Sequence, residues 1–288
     1  MNQIKRLYHI ITWAPYNLIF KFAKKKGSFL NLNLKKIGIN KSFKFNLLEE
    51  DNGLSKDLKI YGFREPLNLK YSYNFIDEQD KVLDIGANIG LFSLLSCKAK
   101  EIISIEPLKE CLPVLKKNLK ENGLSNKSKV INMAVGKEGI LTLKKEDKMN
   151  LSRIVENKDV GVKVKSKKLD YFVDKFDANV LRMDVEGYEY EILYKKIPKR
   201  INKIAIEFHT CYLKEKKSFE LLNYFQEQGF KVKYFIEDLP IRLYPFYLIL
   251  RKLHLLNFFT YVKRNKEPIE LLKYIFKGRD VKYLFLER

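Results

Sequence analysis

The sequence predicts an α/β fold with a mostly parallel sheet, and three observations lead to this prediction. Short apolar segments of strand pattern alternate along the chain with segments of helical pattern. A glycine-rich turn follows one of these strands and leads directly into a helix. Acidic residues stand where several of the strands end. Alternation of strands and helices is typical of parallel sheets, which bind ligands beyond the carboxyl ends of their strands.

The first part of the chain, residues 1–60, is predicted to be a basic, amphipathic extension and lead-in to the domain at residues 61–288. Residues 1–30 place apolar side chains at helical intervals between basic ends, which indicates a helix that lies on a membrane or partner, or packs on the domain. The run is too short and interrupted to predict a membrane-spanning helix. Within and just beyond the lead-in we expect strands at residues 43–48 and 58–63 and a helix at residues 67–75.

The unit at residues 81–107 is the clearest strand–turn–helix–strand segment. Its glycine and polar positions are Asp84, Gly86, Asn88, Gly90 and Glu106. Glycine tolerates a positive φ and lets a ligand come close to the backbone. An acidic side chain after the second strand, here Glu106, suits the hydroxyl groups of a ribose. The unit therefore predicts a site for a ligand that contains a nucleoside.

Two classes of nucleoside ligand compete for this geometry. A dinucleotide site needs G-x-G-x-x-G and places a pyrophosphate at the helix N-terminus. This chain instead has an acid, Asp84, at the entrance of the loop. A carboxylate repels a pyrophosphate but attracts the ammonium and sulfonium groups of S-adenosylmethionine (SAM). The sign of the charge favours SAM over NAD, and a plain turn without a ligand is the remaining alternative.

Further elements follow from the same patterns along the rest of the chain. Strands are predicted at residues 129–135, 140–143, 180–184, 203–208, 230–236 and 281–286, and helices at residues 109–121, 171–175, 188–194 and 218–228. Residues 144–168 are charged and weakly patterned, and no element is assigned to most of them. The last two strands are expected to pair antiparallel. Between them, residues 240–280 form an aromatic, apolar and basic insert, expected to be helical and to serve as a lid or a membrane-touching element.

Polar residues cluster where two of the predicted strands end. Asp184 and Glu186 follow one strand, and Glu207 and His209 lie at the end of the next. Such groups are costly to bury unless they meet a cation, a hydrogen-bond donor or water. His209, Asp184 and Glu186 are therefore the candidates for catalysis, with His209 favoured as the base because its reference pKa of ~6.5 suits proton transfer.

Composition limits the class of protein and of partner. The chain has 288 residues, of which 46% are hydrophobic, enough for one large domain or two small ones. Lys and Arg number 56 against 35 Asp and Glu, for a net charge of +21. This excess indicates an anionic partner such as nucleic acid, a membrane surface or a phosphorylated substrate, although a lysine-rich solvated surface explains it equally well. The three cysteines lack C-x-x-C spacing, so we expect reduced thiols.

Several short motifs, in their order and spacing, together resemble the FkbM family of SAM-dependent methyltransferases. They are Arg64-Glu65-Pro66, VLDIGANIGLFSL, ISIEP, NMAVG, KKLDYF, RMDVEGYEYEIL and IEFH, within residues 60–236. The resemblance implies a Rossmann-like class I methyltransferase fold, with a seven-stranded, mostly parallel sheet and helices on both faces. The N-terminal extension and the helical insert before the last strand lie outside it. Tyr188 departs from the family pattern, which commonly has a small residue at this place.

The resemblance also implies which residues bind SAM. The methionine portion is assigned to the glycine turn, with Asp84, Gly86, Ala87, Asn88 and Gly90. The ribose is assigned to Glu106 and Pro107 at the end of the second strand, and the adenine to Met133 and Ala134 in the third strand. Asp184 in the DVEG motif is assigned to the region near the amino acid moiety and the acceptor. No metal ligand is assigned, although the carboxylates and His209 are an alternative site for a divalent metal.

The expected activity is methyl transfer from SAM to a hydroxyl group on a sugar, a glycan or a glycolipid. The expected partner is a carbohydrate or small-molecule acceptor, in the cytoplasm or in peripheral contact with an anionic membrane at its cytoplasmic face. An RNA methyltransferase fits the positive charge, but the chain has no recognised RNA-binding module, and nucleic acid is the less favoured partner. A protein that binds SAM or lipid without catalysis is the third alternative.

Overall fold

The computed structural model describes residues 28–155, 161–238, 261–276 and 281–288. In this part of the chain the strands are β1 (Phe29–Asn33), β2 (Ser42–Asn46), β3 (Lys81–Ile85), β4 (Glu101–Ile105), β5 (Ser128–Ile131), β6 (Ala134–Val135), β7 (Gly139–Lys144), β8 (Arg153–Val155), β9 (Val162–Lys167), β10 (Val180–Met183), β11 (Lys203–His209), β12 (Lys231–Glu237), β13 (Tyr261–Lys266) and β14 (Val281–Glu287). The helices are α1 (Leu54–Tyr61), α2 (Pro66–Phe75), α3 (Leu91–Leu95), α4 (Cys111–Glu121), α5 (Leu169–Phe176), α6 (Glu189–Leu193), α7 (Thr210–Glu227) and α8 (Leu272–Ile275). Short 3₁₀ segments include Leu34–Ile37 and Pro268–Leu271.

The large sheet has the strand order β13-β12-β14-β11-β10-β3-β4-β5. Its strands from β11 to β5 pair in parallel, whereas β14 is antiparallel to both β11 and β12. The seven strands from β12 to β5 confirm the predicted Rossmann-like fold, including the antiparallel pair at its end. An eighth strand, β13, comes from the insert and pairs antiparallel with β12. It satisfies backbone groups that would otherwise be exposed along the edge of β12.

Alternate residues of the central strands face opposite sides of the large sheet. Val82 packs in one buried cluster with Leu94 of α3 and Leu115 of α4. Leu83 packs in a second cluster with Phe172 of α5 and Leu221 of α7. Strands that are covered on both faces contain nearly continuous apolar runs, as the central strands here do. The two clusters confirm that helices cover both faces.

The lead-in is attached to the glycine turn through one buried side chain. The amide of Asn118 in α4 donates to the carbonyl oxygens of Asn46 in β2, at 3.1 Å, and of Ile89 in the turn, at 2.7 Å. Its oxygen accepts from the Asn46 backbone N–H at 2.6 Å. The β1–β2 hairpin therefore supports the loop from behind.

Two of the expected strands differ from the structure, and a segment without predicted elements contains strands. The strand expected at residues 58–63 is wrong, because helix α1 occupies Leu54–Tyr61 and ends at Gly62 in a left-handed conformation. The strand expected at residues 129–135 is divided between β5 of the large sheet and β6 of a small one. Residues 144–168, which carried no prediction, contain β8 and β9.

The small sheet has the order β6-β9-β7-β8 and lies outside the predicted architecture. In its strand β9, Val164 and Ser166 are buried whereas Lys163 and Lys165 are exposed, so the apolar pattern of the strand is weak. The predicted strand at residues 43–48 is confirmed as β2. The last predicted helix begins earlier than expected, at Thr210.

The insert is only partly helical where it is described. Tyr261–Lys266 forms β13, and the helical segments Pro268–Leu271 and Leu272–Ile275 follow it. Residues 240–260 and 277–280 of the insert lie outside the described residues, as do residues 1–27 of the N-terminal segment at residues 1–30, for which a helix is predicted. Among the residues that are described, no helix combines the length and the apolar character needed to cross a membrane.

Candidate active site at the carboxyl ends of the strands

The glycine turn after β3 is pressed against the end of β10. Gly86 has φ +78°, and a Cβ at this position would overlap the backbone oxygen of Asp184, well inside the 3.0 Å that real Cβ atoms essentially never cross. Gly90 has φ +92°, and a Cβ there would lie 2.6 Å from Cδ1 of Leu115. Both positions need glycine because the backbone is left-handed and the space is filled. The turn is thereby held between β10 and α4.

Asp84 lies beneath this turn and is fully buried. Its Oδ2 accepts a hydrogen bond of 2.5 Å from the hydroxyl of Ser93, which is also 2.8 Å from the hydroxyl of Ser104. Burial raises the pKa of Asp84, and the nearby Arg182 opposes that shift. Asp84 does not line either of the two clefts described below, so it supports the turn from within rather than forming the wall of the cleft.

Glu106 stands at the end of β4 and holds the turn from the other side. Its carboxylate accepts the backbone N–H of Asn88 at 2.7 Å and that of Leu108 at 2.8 Å. Burial raises the pKa of Glu106 to about 7, and Asp84 and Asp184 add to this shift. Each carboxylate oxygen can accept a further hydrogen bond, so the group keeps acceptor capacity for a ligand.

A cleft opens above these strand ends. Of the residues predicted to bind the cofactor or to act in catalysis, it brings together Gly86, Asn88, Glu106, Pro107, Met133, Ala134, Asp184 and Glu186. Asp84, Ala87, Gly90 and His209 do not line it. Ala87 instead faces a second cleft.

The opposite wall of this first cleft comes from the last residue of the strand predicted at residues 140–143 and from the segment that the sequence left unassigned. Leu143, Met149, Ser152, Arg153 and Ile154 line it. The guanidinium of Arg153 lies 5.1 Å from the ring centre of Tyr212, at the start of α7, so the wall contacts the large-sheet layer. The alternation in β7 was the available signal for a strand, but nothing local connects that strand to the cleft.

The second cleft, of about 390 Å³, shares Gly86, Asn88 and Asp184 with the first. Arg182 lies in its wall, 2.8 Å from Glu207 and 3.7 Å from Asp184, with its guanidinium 3.4 Å from the ring centre of Phe92. Arg64 and Glu65 also line it, which places this pair at the site rather than on a remote surface. Burial, followed by the charges of Asp184 and Glu65, raises the pKa of Glu207.

His209 is buried behind Glu186 and contacts two carboxylates. Its Nε2 is 3.2 Å from Oε2 of Glu186, and its Nδ1 is 2.6 Å from Oε1 of Glu189. Burial alone would lower the pKa of His209, but Glu189 and Glu186 outweigh it and raise the pKa well above 6.5. A protonated ring donates from both nitrogens and has no vacant one to accept a proton. Burial, together with the charge of Asp184, also raises the pKa of Glu186, to about 8. The assignment of the base among His209, Glu186 and Asp184 stays a prediction.

The sequence did not predict two features of the site. Glu189 is fully buried and orients His209, yet in the sequence it is one of several acids in EGYEYE. Glu186 has φ +49°, an unusual backbone conformation for a residue other than glycine. The next residue, Gly187, has φ +98°, and a Cβ there would lie 2.5 Å from Cβ of Tyr212. Such strain persists where the surrounding structure determines it, and it holds Glu186 at the cleft.

One set of side chains has the composition of a candidate cation site. Among the described residues, potential ligand atoms of Asp184, Glu207 and His209 all lie within 4.8 Å of one another.

Comparisons with known proteins bear on this site. The family model described as "Methyltransferase FkbM domain" matches residues 84–232, just over half of the chain. No curated protein sequence gives a significant match. Solved structures that resemble the chain include the tRNA m1G37 methyltransferase of M. jannaschii, with 13% identity and a TM-score of 0.43, where the match covers 91% of this chain and 55% of that one.

Two further structures are similarly distant. M. jannaschii TYW2 in complex with AdoMet has 16% identity and a TM-score of 0.38, with 91% of this chain and 88% of that chain covered. Precorrin-6y C5,15-methyltransferase from Geobacter metallireducens has 10% identity and a TM-score of 0.39, with 76% and 86% covered. The family match spans the glycine turn, Glu106, the DVEG segment and His209. The chain therefore belongs to the FkbM-domain family of SAM-dependent methyltransferases.

Proposed function

We propose that this protein transfers a methyl group from SAM to a hydroxyl group on a sugar, a glycan or a glycolipid. The observation that carries the proposal is the placement of Glu186 and Asp184 together in the wall of the first cleft. A hydroxyl group must lose its proton as its oxygen is methylated. A carboxylate held at this position can receive that proton.

The residues of the first cleft fit SAM by charge and by hydrogen-bonding capacity. Gly86 and Asn88 of the glycine turn line the cleft, and Glu106 retains acceptor capacity for ribose hydroxyls. Met133 and Ala134 offer an apolar border for the adenine, and Asp184 offers a negative charge to the amino acid end. Bound there, SAM supplies an electrophilic methyl group with a positive charge on its sulfur.

The chain's own residues then have three tasks. The walls of the two clefts align the acceptor hydroxyl, and alignment alone supplies a large part of the rate of such a reaction. Glu186 accepts the hydroxyl proton at its carboxylate. His209 and Glu189 hold Glu186 in position through the contacts of 3.2 Å and 2.6 Å. The third predicted catalytic residue, Asp184, borders both clefts and so faces cofactor and acceptor alike.

The acceptor class is tested by incubating the full chain with SAM that carries a labelled methyl group, in the presence of whole-cell glycan, lipid and RNA fractions. We expect label in the glycan or glycolipid fraction, as a methyl ether that survives alkali. Label confined to RNA would overturn the proposal and establish the RNA methyltransferase alternative, which the charge of +21 favours. SAM binding without transfer to any fraction would favour a binding protein.

A cytoplasmic site of action, with peripheral contact to an anionic membrane, is part of the same proposal. It is supported by the net charge of +21 and by the basic flanks of the N-terminal segment. Flotation with anionic vesicles at low salt checks it, and absence of binding there would remove the membrane from the proposal.

The affinity for SAM is expected to rise about tenfold between pH 6 and pH 8. The pKa of Glu106 is about 7 before SAM binds, so the carboxyl is mostly neutral at pH 6 and mostly ionised at pH 8. Ribose hydroxyls and a cationic ligand both prefer the ionised form, whose fraction rises from about a tenth to about nine-tenths over this range. Calorimetric titration with SAM at each pH measures the effect. The Glu106→Gln variant should bind more weakly and without this slope, and an unchanged slope would assign the titration to another group.

A further inference from the structure

We propose that Asp184, Glu207 and His209 bind a divalent cation of the Mg²⁺ or Mn²⁺ class, and that this cation contacts the acceptor hydroxyl. We call these three residues the DEH cluster. The part of the proposal that concerns the acceptor rests on the proposed function, whereas the cation site stands on geometry alone.

The candidate ligand atoms lie near one another. All three are within 4.8 Å of one another. Three ligands at about 2.1 Å from a common ion lie about 3.0–3.6 Å apart, so the side chains would need to approach one another by up to about 1–2 Å to close around it. Two carboxylates and an imidazole from the ends of β10 and β11 are ordinary ligands for Mn²⁺, and the carboxylates suit Mg²⁺.

His209 is oriented as metal-binding histidines usually are. Its Nδ1 is 2.6 Å from Glu189, a carboxylate that is fully buried, which leaves Nε2 as the ligand atom. A carboxylate behind a ligating histidine fixes the ring and increases its basicity. In addition, Oδ1 of Asp184 and Oε2 of Glu189 are buried and have no hydrogen-bond partner within the described part of the chain. The Asp184 oxygen in particular is an acceptor for which a bound cation would provide a partner.

Acidic groups also predominate around the cluster. Among the described residues, the carboxyl groups of Asp184, Glu186, Glu189 and Glu207 meet here, and Arg182 and His209 are the basic groups in contact with them. Arg64 lies near Glu186 but is paired with Glu65 and Asp57. A bound cation would add positive charge to this set. Arg182 donates to one oxygen of Glu207, at 2.8 Å. The second oxygen of that carboxylate is therefore the candidate ligand atom for the cation.

A cation in the DEH cluster would change the roles of His209 and Glu186. It would bind Nε2 of His209, while Nδ1–H donates to Glu189. Glu186 then loses its histidine partner and is free to accept a proton. An acceptor hydroxyl bound to the cation has a lowered pKa, so its proton passes to Glu186 as the new C–O bond forms and the C–S bond breaks. No oxidant or reductant is involved.

The test uses the full chain after chelator treatment, titrated with Mn²⁺ and followed by electron paramagnetic resonance of the free ion. We expect one Mn²⁺ per chain in the unaltered protein. His209→Ala and Glu207→Gln should each lose this site. Glu189→Gln, which touches the ring but not the ion, should weaken Mn²⁺ affinity about 10–100-fold. Asp177→Asn removes an exposed carboxylate that pairs with Lys81 at the opposite edge of the sheet, and it should leave binding unchanged.

Two results would overturn the cation site: no stoichiometric Mn²⁺ binding, or equal binding by the unaltered chain and both ligand variants. SAM calorimetry on the same samples shows whether each variant is folded, because the first cleft does not include Glu207 or His209. The same samples also separate this proposal from the proposed function. Full methyl transfer in excess chelator would overturn the role of the cation at the acceptor and leave the methyltransferase intact. Stoichiometric Mn²⁺ binding without transfer to any hydroxyl would retain the cation site and overturn the proposed function.

Discussion

Replacement of Gly86 by alanine is expected to weaken the binding of SAM and to reduce the rate of methyl transfer by about a hundredfold, since a misplacement of about 1 Å can have an effect of this size on the rate. The added Cβ would overlap the backbone oxygen of Asp184. Backbone is the neighbour least able to move aside. Here it is also restrained, because the Gly86 N–H donates to Ile105 at 3.0 Å and the Asp184 N–H donates to Ile85 at 3.0 Å.

The clash must therefore be relieved by separating the turn from β10. That separation opens the first cleft where Gly86, Asn88 and Asp184 meet, so the change affects the cofactor and the acceptor sides together. Calorimetric titration with SAM measures the loss of binding, and urea unfolding measures the accompanying loss of stability.

Gly229→Ala is the matched control for this prediction. Gly229 has φ +81°, close to the +78° of Gly86, but a Cβ there would meet nothing within 4 Å. Both variants incur the cost of a left-handed alanine, about 1–2 kcal/mol. Only Gly86→Ala adds the overlap with Asp184, so the difference between the two isolates that contact. Equal SAM affinity in both variants would show that the turn does not form the cofactor site.

The central fold could be predicted because its determinants are local. Val82 and Leu83 lie in a continuous apolar run, as strands buried on both faces require, and glycines mark the turn that follows. The acidic strand ends could be predicted as a group because parallel neighbours end at the same edge of the sheet. Asp184 and Glu207 meet there through Arg182, as this reasoning requires.

The remaining parts depend on contacts between segments that are distant in sequence. The strand expected at residues 58–63 proved helical, because Leu54 and Leu58 are buried one turn apart on the same side of α1. Arg153 reaches the first cleft only because β8 pairs with β7 and its side chain packs on Tyr212. Glu189 differs from Glu191 in sequence only by position, yet one is fully buried against His209 and the other pairs with Lys217 near the surface. No local pattern distinguishes such residues.

Glu186→Gln is expected to slow methyl transfer about 10²–10⁴-fold, the usual contribution of a general base. The variant keeps the shape of the side chain, and an amide can still accept a hydrogen bond from His209, but it cannot take up the acceptor's proton. SAM affinity should change by less than about tenfold, because the contacts assigned to ribose and adenine lie at Glu106, Met133 and Ala134. The rate is measured under saturating SAM with whichever fraction accepts label, so that only the chemical step is compared.

The same substitution at Glu191 provides the control for Glu186. Glu191 lies five residues further along the chain, pairs with Lys217 at 2.5 Å and does not line the first cleft. Glu191→Gln should transfer methyl groups at the unaltered rate. If Glu186→Gln were equally active, the proton would have to leave by another route, with Asp184 as the remaining carboxylate in the cleft. Asp184→Asn would then be the slow variant, and the base would be assigned to Asp184 instead of Glu186.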